Sequence, residues 1–321
     1  MAGLLVRNLP GTFPLPLNMT NRCFIAADVG NARIKLGLFT DDNGIGLLEP
    51  RQTLLLLGKE AELDGIDPWL AGTACDDLSR DLPHLTYQWW IASVNRPAAT
   101  RLIDWLHEHR AGDRVVLLAS GDLPLVVRVE RPDMVGVDRL VDAVAVNRLR
   151  DAGRPAVIVD VGTAITVDLV SGDGAFLGGA ILPGIQMSAR ALHHFTDLLP
   201  LVDVAELAAP PPALGDSTES AMRSGLFWGA VGAIRELIER ICETASDWGG
   251  SSTATPAHST ATATQSETAS GGEPQVFVTG GAGPTVAELL GRAARHVPNL
   301  TLAGIAQAAR EHRSAGKSGS V

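Results

Sequence analysis

The chain has 321 residues, 45% of them hydrophobic and 19% charged, with 36 Asp and Glu against 26 Lys and Arg and a formal net charge of −10. That length gives one large or two medium domains with a real core, and the apolar content is too high for a disordered chain. No run approaches the ~18 consecutive apolar residues of a membrane helix, and the acidic balance, with aromatics at 4%, argues against a nucleic-acid surface or base-stacking platform.

Residues 1–21 carry one arginine, three prolines and no continuous apolar core, so they read as an N-terminal extension and not as a secretory signal. Met19, just before the first apolar run, is a candidate translation start. Cys23, Cys75 and Cys242 are too scattered for a disulfide framework or a CxxC pair, which points to a reducing, cytoplasmic setting.

The first informative stretch rises through Phe24–Ala27 to Asp28-Val29-Gly30, then alternates as Ile34, Leu36 and Leu38. It reads as strand, tight turn, strand. The same device returns at Ala156–Val159, Asp160-Val161-Gly162-Thr163-Ala164 and Ile165–Val170. Two hairpins with a shared Asp-Val-Gly-x-Ala predict a duplicated α/β domain.

Between and after them, helical spacing is found over Pro97–Arg110, Arg139–Arg150 and Ser220–Thr244, and short apolar runs at Trp89–Val94, Arg114–Ala119 and Val276–Thr279 read as strands. Alternating strands and helices favour an α/β architecture. Residues 246–273 are rich in Ser, Thr, Ala and Gly and predict a flexible insertion; the last residues, 313–321, predict a frayed tail.

An Asp at a strand end followed by Gly and a small residue offers backbone amides to an anion and a carboxylate to a cation. The bland alternative is an Asp that only caps a turn, and it is weakened by the second copy. At Gly136-Val137-Asp138-Arg139 a carboxylate and a guanidinium meet where a loop turns into a helix. By itself this reads as an N-terminal cap; the functional alternative is a general base beside an anion-binding arginine. Gly178–Gly184 reads as a Gly/Pro loop, either substrate-lining or a crossover, and Val276–Gly283 as a strand ending in a glycine turn.

Several motifs are missing. Neither Lys59 nor Lys317 sits in a Walker loop, and no HExxH occurs. His107 and His109 point to divergent helix faces, and His193-His194 reads as packing or solvent-facing.

Taken in order, DVGNARIKLGLF at 28–39, SVNRP at 93–97, GVDR at 136–139, DVGTAITVD at 160–168, GGAILPG at 178–184, TDLLP at 196–200, GDST at 215–218, TGG at 279–281 and LTLAGI at 300–305 resemble the type III pantothenate kinases. These lie in the acetate-kinase, sugar-kinase, heat-shock-ATPase and actin superfamily. The resemblance implies an α/β fold of duplicated ribonuclease-H-like (actin-type) domains. Residues 22–153 would form the first half, and 154–312 the second, interrupted by the insertion.

It also implies roles. Asp28, Val29, Gly30, Asn31, Ala32, Arg33, Ile34 and Lys35 would bind ATP phosphates, with Asp28 near Mg²⁺, and Thr163 would touch ATP. Asp138 would accept the proton of pantothenate, contacted by Gly136, Val137, Asp138, Arg139 and Thr218. Asp160 would bind an activating K⁺ or NH₄⁺, and the protein would be a homodimer with the pantothenate site near the interface.

Two positions depart from the pattern: Ala32 replaces a common Thr or Ser, and Val129 stands where many members carry Tyr. Two other readings stay open, a kinase of another small hydroxyl compound in the superfamily and a non-catalytic regulatory homologue.

Overall fold

The computed structural model describes residues 23–41, 46–58, 62–72, 86–203, 209–247, 273–291 and 293–317. The extension 1–21 with Met19, Cys75, and residues 248–272 of the insertion lie outside them. In chain order the elements are β1 (Cys23–Val29), β2 (Arg33–Thr40), β3 (Gln52–Leu57), α1 (Ile66–Gly72), β4 (Gln88–Ser93), α2 (Arg96–His109), β5 (Arg114–Leu117) and α3 (Val137–Leu149). They continue with β6 (Ala156–Val161), β7 (Ala164–Val170), β8 (Phe176–Pro183), α4 (Ile185–His194), α5 (Thr218–Asp247), β9 (Gln275–Gly280), α6 (Gly283–Leu290), β10 (Ala294–His296) and α7 (Leu300–Lys317).

The duplication expected from the two hairpins is present in the topology. One five-stranded sheet has the order β3-β2-β1-β4-β5 and the other β10-β9-β6-β7-β8, which is the same order read from the opposite edge. In each, an antiparallel meander of three strands is followed by two parallel additions. Parallel neighbours need a crossover, which α2 supplies between β4 and β5 and α6 between β9 and β10. The chain is therefore an α/β protein built on two ribonuclease-H-like sheets.

The hairpins differ at the loop. Val29 pairs with Ile34, leaving Gly30 to Arg33 between them, whereas Val161 pairs with Ile165, with one residue fewer between. The Asp-Val-Gly-x-Ala match thus ends at its alanine: Ala32 stays in the loop while Ala164 opens β7. The segment 178–184, read from sequence as a loop, is largely strand. Its Ala180-Ile181-Leu182 run pairs with β7, and Gly179 lets the backbone close on that neighbour.

The chain divides into two compact units, one of Met1–Leu125, Glu130–Leu149 and Pro298–Val321, the other of Val126–Val129 and Arg150–Val297. The final helix therefore packs with the first unit, although its place in the sequence suggested the second half. The physical reason lies in its apolar face and one glycine. Leu300, Leu302, Ile305, Ala306 and Ala309 are fully buried, and a Cβ on Gly304 would lie 1.9 Å from the Val141 carbonyl oxygen, so α7 lies directly on the backbone of α3. The helix also continues past the point where a frayed tail was expected. Arg313 pairs with Asp41 at 3.4 Å and sits over the Phe24 ring.

In the first unit, Ile25, Ala27, Val29, Ile34, Leu36 and Leu38 pack with Ala98, Leu102, Trp105 and Leu106 of α2. Strand alternation sends Ala26 and Asp28 to the other face, where Gly37, the partner of Ala26, meets Leu302 of α7. In the second unit Val157, Val159, Val161, Ile165 and Val167 pack with Phe227, Val231 and Ile234 of α5 and Val286 of α6. Each such fully buried side chain contributes about 1.5–3 kcal/mol. This pattern leaves Asp160 on the opposite face from the helices that cover the core.

Candidate active site

In the first unit the site begins at the β1–β2 turn. Asp28 and Lys35 are register partners, so a carboxylate and an ammonium share one face of the hairpin. The Gly30 N–H donates to the Arg33 carbonyl at 3.0 Å and closes the turn, while Asn31 and Ala32 are exposed. The Ala32 carbonyl accepts from the Gly58 N–H at 3.0 Å, so the loop is held from its far side as well.

The strand beside β1 ends level with it: Val29 pairs with Ser93 in the parallel register. Beyond Ser93, Asn95 caps α2, its Oδ1 accepting from the Ala98 N–H at 3.2 Å, and its Nδ2 donates to the Gly30 carbonyl at 3.4 Å. The Val94 N–H donates to the Val29 carbonyl at 3.2 Å. Asn95 therefore couples a helix N-terminus to the glycine of the hairpin turn. Sequence reading assigned no role to Ser93 or Asn95. The Asn-Arg-Pro order is itself an N-cap followed by a first-turn proline, which was the available signal.

Gly136 lies against the same corner, since a Cβ on it would sit 3.5 Å from Val94 Cγ1. That Cβ would also lie 2.5 Å from Asp138 Oδ1, so the carboxylate of Asp138 folds back over Gly136. Asp138 stands in the first turn of α3, where its Oδ1 accepts from the Arg139 N–H at 2.8 Å. The cap reading and the chemical reading thus hold together: one oxygen satisfies a first-turn amide, and the half-buried carboxyl keeps a pKa above the ordinary aspartate value. Burial is the dominant cause, opposed by the Arg139 amide and by the Arg139 charge. Val137, between them, is buried and anchors the turn.

The second unit repeats the device with different closures. The Gly162 N–H donates to the Ala164 carbonyl at 3.0 Å, and Thr163 is exposed at the tip. The half-buried Asp160 carboxylate lies in a glycine cradle. A Cβ on Gly280, whose φ is +92°, would come within 2.4 Å of Asp160 Oδ1 and 2.5 Å of the Val161 carbonyl oxygen. Gly184 closes on the tip in the same way: a Cβ on it would lie 2.4 Å from the Gly162 and Thr163 carbonyl oxygens, and its N–H donates to Thr163 O at 3.1 Å. The sequence marked these glycines without showing that they meet at one turn, because the residues are separated by up to a whole sheet crossover.

Thr218 is the first residue of α5 and is exposed; the cap is Ser217, whose carbonyl takes the Ala221 N–H at 2.9 Å. Gly215 is required beneath it, as a Cβ there would lie 2.2 Å from the Ala221 nitrogen. Val129 belongs to the second unit, with its Cγ1 3.5 Å from the position of a Gly178 Cβ. His109 Nδ1 contacts the Trp105 carbonyl and His193 Nδ1 the Leu199 carbonyl, so both are structural.

Oxygen donors that suit cations stand at both hairpins. Asp28 supplies a single carboxylate at a strand end, the usual protein share for a Mg²⁺ that arrives on nucleotide phosphates. Among the described residues no group of three or more His, Cys, Asp and Glu is arranged as a self-contained metal cage. At the second hairpin, the Asp160 carboxylate in its glycine cradle, beside the Val161 carbonyl, offers hard oxygen donors to a cation.

A family model described as type III pantothenate kinase matches residues 24–240. The Acidiphilium cryptum type III pantothenate kinase is 30% identical over 266 residues, covering 83% of this chain and 79% of that protein. The Dehalococcoides mccartyi enzyme of the same name is 32% identical over 226 residues, covering 68% of this chain and 80% of its own. The match to the Ruegeria sp. type III pantothenate kinase is 45% identical over 119 residues, but it spans only 44% of that relative and 37% of this chain.

Among solved structures, a conserved Campylobacter jejuni protein named for the Baf transcriptional activator family superposes with a TM-score of 0.50 at 17% identity, covering 91% of this chain and 100% of that one. That likeness speaks to the fold alone. With two five-stranded sheets of the same strand order and a family match over most of its length, the chain belongs to the type III pantothenate kinase family.

Proposed function

We propose that the protein transfers the γ-phosphoryl group of ATP to the primary hydroxyl of pantothenate, giving 4′-phosphopantothenate, the first step of coenzyme A synthesis, with Asp138 as general base. The observation that carries this reading is the Asp138 carboxyl itself. It is half-buried, held above its ordinary pKa, folded over a glycine and placed one residue before an arginine, in the same compact unit as the Asp28 hairpin.

As the hydroxyl oxygen forms its bond to the γ-phosphorus, the hydroxyl proton passes to a carboxylate oxygen of Asp138 and the bond to the ADP leaving oxygen breaks. A raised pKa brings the carboxylate nearer to the operating pH and makes it a better proton acceptor. Such a base contributes on the order of 10²–10⁴-fold. Arg139 is the partner for the pantothenate carboxylate, as a charge-assisted donor. Gly136 and Val137 position the turn, and Thr218 lends its exposed hydroxyl to the acid substrate. The exposed Asn31–Ala32 tip of the Val29–Lys35 hairpin, with Lys35 and the Thr163 hydroxyl, binds the phosphates, so that most of the remaining catalysis is positioning and charge neutralisation.

Mg²⁺ beside Asp28 and K⁺ or NH₄⁺ at Asp160 supply positive charge to a chain whose net −10 opposes anionic ligands. Phe195, Leu198, Leu201 and Leu214, all of which follow α4, are large exposed apolar side chains, and we read them as contacts of a homodimer.

The test is ADP release on a substrate panel with ATP–Mg²⁺, with and without K⁺. Turnover confined to pantothenate and raised by K⁺ supports the reading; a preference for another hydroxyl compound, or activity indifferent to K⁺, contradicts its substrate or its cation part respectively.

A further inference from the structure

The chain passes between its two units at residues 125–126, 129–130, 149–150 and 297–298. The segment Glu130–Leu149, which carries Gly136, Asp138 and α3, is counted in the first unit, yet the residues flanking it on both sides belong to the second. Both flanks end on the same turn, Ser171–Gly174, between β7 and β8.

On the N-terminal flank, Val127 forms a parallel bridge with Phe176: the Phe176 N–H donates to the Val126 carbonyl and the Arg128 N–H to the Phe176 carbonyl, each at 2.8 Å. The Arg128 guanidinium then reaches Asp173 through two bonds, Nη1 to Oδ1 at 3.2 Å and Nη2 to Oδ2 at 2.5 Å. The Ser171 hydroxyl also donates to Asp173, and the three contacts hold that carboxyl down at about 2.

On the C-terminal flank, Arg150 Nη1 donates to the Gly172 and Arg154 carbonyls, each at 2.8 Å. The turn is pressed so closely on this flank that a Cβ on Gly172 would lie 2.5 Å from the Gly153 carbonyl oxygen.

The Arg128–Asp173 pair is half exposed, with side-chain exposures of 49% and 55%, and pairs of that kind add little to global stability. What a bidentate fork does provide is direction. It fixes where the strap 126–129 lies, and hence where the six residues 130–135 leading to Gly136 begin.

We propose that the Ser171–Gly174 turn clasps the strap 126–129 and Arg150, which lead into and out of the segment bearing Asp138, and that Arg128 and Asp173 are positioning residues for that carboxylate. The kinetic part of this proposal rests on the reading of Asp138 as the base; the structural part does not.

The experiment compares Arg128→Ala, Asp173→Ala, the double variant and Asp173→Glu with the unaltered full chain. Three readouts are taken: amide exchange over residues 130–136, kcat and KM with pantothenate and ATP–Mg²⁺, and Tm. The expected result is faster exchange over 130–136 in both alanine variants and a kcat lowered about 3- to 10-fold, with the ATP KM and Tm nearly unchanged. The double variant should be no slower than Asp173→Ala, because the two residues act as one unit, and Asp173→Glu should recover part of the loss. Unchanged exchange overturns the clasp, and so does a fall in Tm with kcat intact. If the unaltered chain does not phosphorylate pantothenate, the functional reading fails and the exchange data alone decide: faster exchange upholds the clasp, unchanged exchange overturns it.

Discussion

Replacing Gly136 by alanine puts a methyl group where the Asp138 carboxylate rests. The Cβ position lies 2.5 Å from Asp138 Oδ1, whereas a carbon–oxygen contact needs about 3.3 Å, so the carboxylate must retreat by roughly 0.8 Å. Gly136 is not among the positive-φ glycines, so the alanine carries no backbone strain of its own, and Val94 Cγ1 at 3.5 Å is an ordinary contact. The disturbance therefore falls on the carboxylate and on its bond from the Arg139 N–H. A misplacement of about 1 Å can cost about 10²-fold in rate, equivalent to about 2.7 kcal/mol of transition-state stabilisation. We expect Gly136→Ala to lower kcat about 10²-fold with the ATP KM and Tm close to those of the parent chain. The assay is steady-state ADP release with pantothenate, with Gly121→Ala as control because no atom lies within 4 Å of its Cβ position. A Gly136→Ala enzyme with parental kcat would refute the placement of Asp138 at the reacting hydroxyl.

Asp138→Asn should abolish turnover, leave ATP binding by calorimetry largely intact, and raise Tm at neutral pH. The sign follows from the raised folded pKa: the folded chain binds the proton more tightly than the unfolded one, so stability falls as pH rises from the unfolded to the folded value and stays lower above it. The same shift places the acid limb of the kcat–pH profile above the ordinary aspartate value, and a limb at or below that value would count against Asp138 as the base. Gly304→Ala should destabilise the first unit by about 1–3 kcal/mol or more in urea unfolding, because its Cβ would meet the Val141 backbone and α7 would have to lift from α3. Asp160→Asn should remove K⁺ activation while preserving the fold by circular dichroism; retained activation would move the cation elsewhere. Phe195→Asp should convert a dimer into a monomer in sedimentation, and a parental chain that sediments as a monomer would refute the dimer.

The regular elements were legible from periodicity because each core face repeats in its own register: α2, α3, α5, β4, β5 and β9 all lie where apolar spacing put them, within a few residues. The twin sheets were legible from two Asp-Val-Gly turns alone. What sequence could not show is governed by contacts between distant residues. Gly304 and the buried face of α7 decide that the last helix joins the first unit, and nothing in its local pattern names its partner. The Gly178–Gly184 stretch was read as a loop because glycine and proline are the usual punctuation; in the structure its glycines serve close approach, Gly179 facing the backbone of Val167 and the carboxylate of Asp168. In the site, Gly136, Asp138 and Arg139 are adjacent in sequence and were found together. The tie from Asn95 to Gly30 joins residues 65 apart, and only the parallel pairing of β1 with β4 brings them to one corner.

The most direct measurement is mass spectrometry of pantothenate after incubation with the purified chain, ATP, Mg²⁺ and K⁺, run in parallel with Asp138→Asn. The account predicts one added phosphoryl group on pantothenate with the unaltered chain, and none above background with a folded Asp138→Asn protein that still binds ATP. Unmodified pantothenate with the unaltered chain, or equal phosphorylation by both proteins, would contradict it.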